Sequence, residues 1–207
     1  MSIYRDPAHT VSDRRFLGLR LRAPANENSS ALAIKRLQAF KKTPIVASMN
    51  RSTFTAPPDN RYFEDYVAGA VHESGSIAVD EAEIIAFAKR YDPQVFHTDP
   101  AAAKQTIYRG LIASGWLTTS LMMRLFTDHF LSHVASLGSP GVDELRWLKP
   151  VRPGDVLSLR VTVLGTNRSR SKPDRGAVHS FIEVLNQNAE VVMSMKAVNL
   201  FLCRDHR

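Results

Sequence analysis

Thirteen consecutive positions, Leu111–Met123, carry no charged side chain, and this run limits the fold more than any other feature of the chain. It follows Gly110, passes Gly115 and, beyond Arg124, continues apolar through Leu125 and Phe126, which reads as one buried helix. A membrane span needs roughly 18 or more such residues, so this segment is too short to cross a bilayer. A helix this apolar that does not enter lipid has to be covered by protein. The remaining segments indicate a sheet as that cover.

Val71–Val79 alternates loosely, and Val142–Trp147, Val156–Leu164, Ala177–Leu185 and Val191–Leu202 are rich in Val, Ile, Leu and Phe. Turn signals separate them: Pro153-Gly154-Asp155, the polar stretch Gly165–Gly176, and Asn186-Gln187-Asn188. Consecutive strands joined by short turns pair antiparallel, and one long apolar helix lying against such a sheet makes an α+β domain. A further helix is expected from Glu81 to about Arg90. Asp80 stands as its N-cap with Glu83 three residues on, and Lys89-Arg90 sit where the helix dipole favours cations.

Between the two helices runs Tyr91-Asp92-Pro93-Gln94-Val95-Phe96-His97-Thr98-Asp99-Pro100. The residue before a proline is pushed out of the helical region, so a segment opening on Asp92-Pro93 has to turn. That turn can aim Asp92 and His97, five residues apart, at one point, and proton transfer needs an acid and a base within hydrogen-bond reach of the reacting group. The residues alone also allow a plainer role, with Asp-Pro opening a turn and His97-Thr98-Asp99-Pro100 capping a helix.

Together with Gly110-Leu111-Ile112-Ala113-Ser114-Gly115-Trp116, this loop resembles the MaoC-like dehydratase family, whose members include the (R)-specific enoyl-CoA hydratases. The resemblance runs from Arg61 to the C-terminus, about 145 of the 207 residues. It implies a single hot-dog domain, an antiparallel sheet wrapped around a long central helix, over residues 56–207. The family's hydratase signature has Gly before the Asp and reads Asp, any residue, Asn, Pro, any residue, His. Here Tyr91 takes the place of the Gly, Gln94 of the Asn and Val95 of the Pro, while the Asp-to-His spacing is kept. Some hydratases carry a site serine inside the central helix. Met123 is read as occupying that position, which counts against a short polar acyl pocket.

The chemistry so implied is reversible hydration of a trans-2-enoyl thioester to the (R)-3-hydroxyacyl form. Water adds to the β-carbon while negative charge builds on the thioester oxygen, so the site needs a held water, a proton shuttle and an oxyanion donor. Carboxyl and imidazole groups in water titrate near about 3.9 and 6.5, which makes Asp the carboxylate and leaves His mostly neutral at pH 7. His97 is assigned as the base, and Asp92 as the group that orients water and returns a proton to the α-carbon; the reverse assignment stays open. The backbone N–H of Gly115, with Ser114 beside it at the helix start, is the oxyanion donor the resemblance implies. Close packing of Gly115 on a strand is the alternative reading of that glycine. No cofactor is implied beyond coenzyme A as part of the substrate. A hot-dog thioesterase and a non-catalytic acyl-CoA-binding hot-dog protein are the competing functions.

A net charge of +7 suggests nucleic acid until it is divided by position. Residues 1–55 hold 10 Lys and Arg against 3 acidic residues, and residues 56–207 hold 17 against 17. The domain therefore has no basic bias, and neither nucleic acid nor membrane is an expected partner. Residues 1–55 read as a flexible basic extension with one helical segment, Ser30–Lys42. Met49 is the preferred initiator, and a transit peptide or a basic arm is the alternative. The single cysteine, Cys203, allows no internal disulfide. It points to a reducing compartment, the cytoplasm, or the mitochondrial matrix if the extension is a transit peptide.

His129 and His133 have the spacing of a zinc pair, but no Glu follows His129 and no third ligand is evident, so no metal site is expected. His72 and His179 fall in or near strands. Arg168–Arg175 reads as a hairpin tip, in which Arg170 and Lys172 are candidates for contact with the phosphates of coenzyme A. A hot-dog subunit leaves sheet edges and part of its acyl tunnel to a partner, so a homodimer with two sites is also implied.

Overall fold

A computed structural model describes residues 54–205, and the expected helix at Ser30–Lys42 and the question of Met49 lie outside the described residues. Five strands, β1 (Val71–Ala78), β2 (Gly141–Trp147), β3 (Val156–Arg168), β4 (Arg175–Leu185) and β5 (Val191–Leu202), form one antiparallel sheet in the order β1-β3-β4-β5-β2. The helices are α1 (Glu81–Tyr91), the single turns α2 (Val95–Thr98) and α3 (Pro100–Ala103), and α4 (Gly115–His129). β3, β4 and β5 pair in sequence order through short connections, whereas β1 and β2 lie at opposite edges.

Alternation decides which face of the sheet is covered. Leu157, Leu159, Val161 and Val163 of β3, and Val178, Ile182 and Val184 of β4, all point into the core. Against them α4 turns a stripe made of Leu117, Leu121 and Leu125 beside Thr118, Met122 and Phe126, all buried and spaced four apart. α1 starts as expected, the Asp80 side chain accepting the N–H of Glu83 at 2.9 Å. Among the described residues no helix is long and apolar enough to cross a membrane.

Three expectations need correction. The uncharged run is not helical from Gly110: Leu111–Ala113 form a buried extended lead-in, and the helix begins at Gly115 behind the N-cap Ser114. The lead-in is held by neighbours, with the Ile112 N–H on the Phe96 carbonyl and the Ala113 N–H on that of Val151. Nor is α4 covered on all sides, since Trp116 and Met123 remain exposed.

The polar stretch Gly165–Gly176 is also not a loop throughout, because the β3–β4 ladder continues to the pair Arg168↔Gly176. Gly176 is a packing glycine: a Cβ there would come within 2.3 Å of the Phe63 ring. A glycine read as a turn residue from sequence here marks the close approach of another segment.

Arg61 secures the far end of the central helix. Buried beneath the Phe54 ring, it donates to the carbonyls of His129 at 2.9 Å and Phe130 at 2.8 Å, and to that of Ala56. The last carbonyls of a helix lack intrahelical donors, and a cation there also complements the dipole. Arg61→Ala leaves these acceptors short of donors and should cost about 3 kcal/mol in urea unfolding. A loss under about 0.5 kcal/mol would mean that water serves those carbonyls equally well.

Candidate active site

Asp92 ends α1, its N–H on the Ala88 carbonyl at 2.9 Å, and Pro93 then stops the helix. Gln94 opens α2, which turns the buried His97 back toward Asp92. The plainer reading of this loop holds for its second half, where the Asp99 side chain caps α3 by accepting the N–H groups of Ala101 and Ala102.

His97 Nδ1 lies 2.8 Å from the Ile112 carbonyl. A carbonyl only accepts, so Nδ1 carries a hydrogen, and in the neutral ring Nε2 then holds the lone pair. Nε2 faces Asp92 Oδ2 at 3.4 Å. Asp92 Oδ2 also accepts the Ser114 hydroxyl at 2.7 Å, while Oδ1 accepts the Gln94 carboxamide N–H at 2.7 Å. The Ser114 hydroxyl, and then the Gln94 carboxamide, hold the Asp92 carboxyl below the usual carboxylate range, helped by the nearby His97 and opposed by partial burial.

Asp92, Gln94 and His97 line a cavity of about 550 Å³ whose wall also includes Gly115, Trp116, Tyr108 and Trp147. The first-turn amide of Gly115 belongs to the set that a helix leaves without an internal acceptor. Its residue type is fixed by Trp147, whose ring a Cβ at this position would meet at 2.4 Å. Trp147 is held in turn by its N–H on Thr119 Oγ1 at 3.2 Å and by an edge-on contact with Trp116 at 5.3 Å. The close-packing reading of Gly115 therefore holds, and the residue also lines the cavity.

Asp92, His97, Ser114 and Gly115 are thus brought together. Arg170 and Lys172 are not: they occupy the exposed tip between β3 and β4, beside the pair Arg175↔Leu202. Trp147 pairs with Met193 near the other end of β5, about nine residues or roughly 30 Å along the strand. The cation in the cavity wall is Lys149, paired with Glu190. Met123 lies on the exposed side of α4, and the serine that reaches the carboxylate is the N-cap, Ser114.

The other candidates have structural roles. His133 bonds Asp59 at 2.9 Å, and no group of three or more metal-ligating side chains exists among the described residues. His72 stacks on Phe54 at 3.9 Å. Burial pushes the Cys203 thiol up, away from nucleophilic use.

Residues 63–194 match the family described as MaoC like domain. The chain belongs to the MaoC-like dehydratase family. A MaoC-like dehydratase of known structure from Rhodospirillum rubrum is 39% identical, with a TM-score of 0.65 over 70% of this chain and 99% of that one. An (R)-hydratase from A. caviae involved in PHA biosynthesis is 25% identical, with a TM-score of 0.53 over 64% of this chain and 95% of its own. The uncharacterized protein YdeM of Bacillus subtilis is 28% identical over 109 residues, 53% of this chain and 77% of that protein. The antiparallel sheet with α4 against it is the hot-dog fold of these relatives.

Asp92 ionises more readily in the folded MaoC-like domain than in the unfolded chain, so its carboxylate supports the fold above the ordinary carboxyl range. That contribution disappears as pH falls through the depressed folded value. Ser114→Ala removes the leading cause of the depression. Its Asp92 carboxyl, followed by ¹³C NMR, should titrate at higher pH than in wild type, and acid unfolding should start earlier. An unmoved titration would show that the Ser114 bond does not hold the carboxylate.

Proposed function

We propose that the protein reversibly hydrates a trans-2-enoyl thioester of coenzyme A to the (R)-3-hydroxyacyl thioester. The observation that carries this reading is the open Nε2 of His97 facing Asp92 Oδ2 at 3.4 Å in the wall of a cavity that also presents the first turn of α4. A water bound there can give one hydrogen bond to each group. His97 Nε2 takes one proton as the water oxygen bonds to the β-carbon. The π electrons move to the α-carbon and thioester oxygen, where the amide of Gly115 meets the developing charge. Asp92, held low by its donors, stays an acceptor that orients the water. His97, rather than Asp92 as first assigned, then returns the proton to the α-carbon, because the Asp92 carboxyl is held too low to carry it; one molecule of water is added and His97 ends neutral. The family's (R)-hydratase relative supports the direction and class of this chemistry.

The reading includes a second copy of the chain. β2 is an edge strand, and Trp116, Met123, Val142 and Leu148 leave apolar surface beside it. Light scattering should give about twice the chain mass; a monomer active at nanomolar concentration would contradict this.

Loss of enoyl absorbance over a panel of trans-2-enoyl-CoAs tests the reaction. Wild type should hydrate at least one member, with Asp92→Asn and His97→Gln each slower by about 10² or more. Both tryptophans of the chain line the cavity, so quenching of intrinsic fluorescence reports occupancy independently of turnover. Thiol release without hydration would make the protein a thioesterase. Quenching with neither reaction would make it an acyl-CoA binder.

A further inference from the structure

We propose that Gln94 is a positioning residue, whose carboxamide holds the Asp92 carboxylate in one orientation for the reaction proposed above. It stands where the family signature has Asn.

The geometry divides the carboxylate between two elements. Ser114, at the start of α4, serves Oδ2, and Gln94, at the start of α2, serves Oδ1, each at 2.7 Å. One donor alone would leave the carboxylate plane free to rotate about its bond to Cβ, since that torsion is broad. Two donors from different elements fix the plane, and with it the lone pair that faces the water site.

The backbone cannot take over this task. An Asp side chain in a turn commonly accepts a backbone N–H just downstream. Here Pro93 has no N–H, and the N–H of Gln94 goes to the Asp92 carbonyl at 2.7 Å. The side chain of Gln94 supplies the missing donor. The base of its arm is anchored, because its carbonyl accepts the His97 N–H at 2.9 Å and the Thr98 hydroxyl at 3.1 Å.

The charged and titratable groups that share the cavity with Asp92 are His97 from α2, Tyr91 from α1, Tyr108 from the segment before α4, and Lys149 after β2. Of these, His97 lies against the carboxylate, and Lys149 is paired with Glu190. The carboxamide is thus a neutral donor that stabilises the anion at any pH at which the loop is folded.

Gln94→Leu and Gln94→Asn test the role through the Asp92 carboxyl titration, followed by ¹³C NMR, and through kcat and KM measured separately at neutral pH. In the Leu variant the titration should rise, and kcat should fall about tenfold with KM within about twofold. The Asn variant restores a carboxamide and should recover most of the loss. Gln94 is exposed, so both variants should stay folded, the Leu variant melting somewhat lower because the Asp92 carboxylate then supports the fold less.

A Leu variant whose titration and kcat match wild type overturns the proposal. So does a rise in KM with kcat unmoved, which would make Gln94 a substrate contact. If wild type hydrates no enoyl thioester, the hydratase reading fails. The carboxyl titration still decides the role of Gln94.

Discussion

Burying Leu117, Leu121, Leu125, Met122 and Phe126 of α4 against the sheet sets the axis of that helix, and with it the place where its first turn meets the cavity. Each such side chain contributes about 1.5–3 kcal/mol on burial, against about 1 kcal/mol for a typical hydrogen bond. The polar contacts of the site therefore orient groups on a scaffold that packing has already made rigid. Arg61 at the far end and Ser114 at the near end close the two termini of this helix, and Ser114 also reaches the carboxylate of Asp92.

The motif loop becomes a site through its attachment to the lead-in of α4. The Ile112 carbonyl binds His97 Nδ1 and the Ile112 N–H binds the Phe96 carbonyl, so two consecutive residues of the loop are tied to one residue of the lead-in. This pairing sets the imidazole tautomer as well as its position. It also explains why Leu111–Ala113 are extended: a helical turn there would carry the Ile112 carbonyl and N–H along the helix axis and away from the loop.

Much of this was legible in the chain. The five strands fall close to where Val-rich runs and turn residues place them, and Asp80 caps α1 as its spacing with Glu83 requires. Asp92, His97, Ser114 and Gly115 meet as the family resemblance implies. What local patterns do not carry is the other partner of a long-range contact. Gly176 reads as a turn residue because Phe63, which packs on it, is more than a hundred positions away. Trp147, the last residue of β2, and Lys149 just after it enter the cavity wall. Arg170 and Lys172 match phosphate chemistry in type, but the long β3–β4 ladder carries them to the opposite end of the sheet. The role of Ser114 was hidden for a different reason: a serine before a glycine explains itself as an N-cap, and its second bond depends on where Asp92 lies.

The central claim is that one cavity adds water to an enoyl double bond under the control of His97 and Asp92. Chiral chromatography of the 3-hydroxyacyl product, formed from a trans-2-enoyl-CoA, tests it most directly. The account predicts a single (R) product, formed slower by about 10² or more when His97 is replaced by Gln. An (S) or racemic product, or an (R) product that persists in the His97 variant at the wild-type rate, would contradict it.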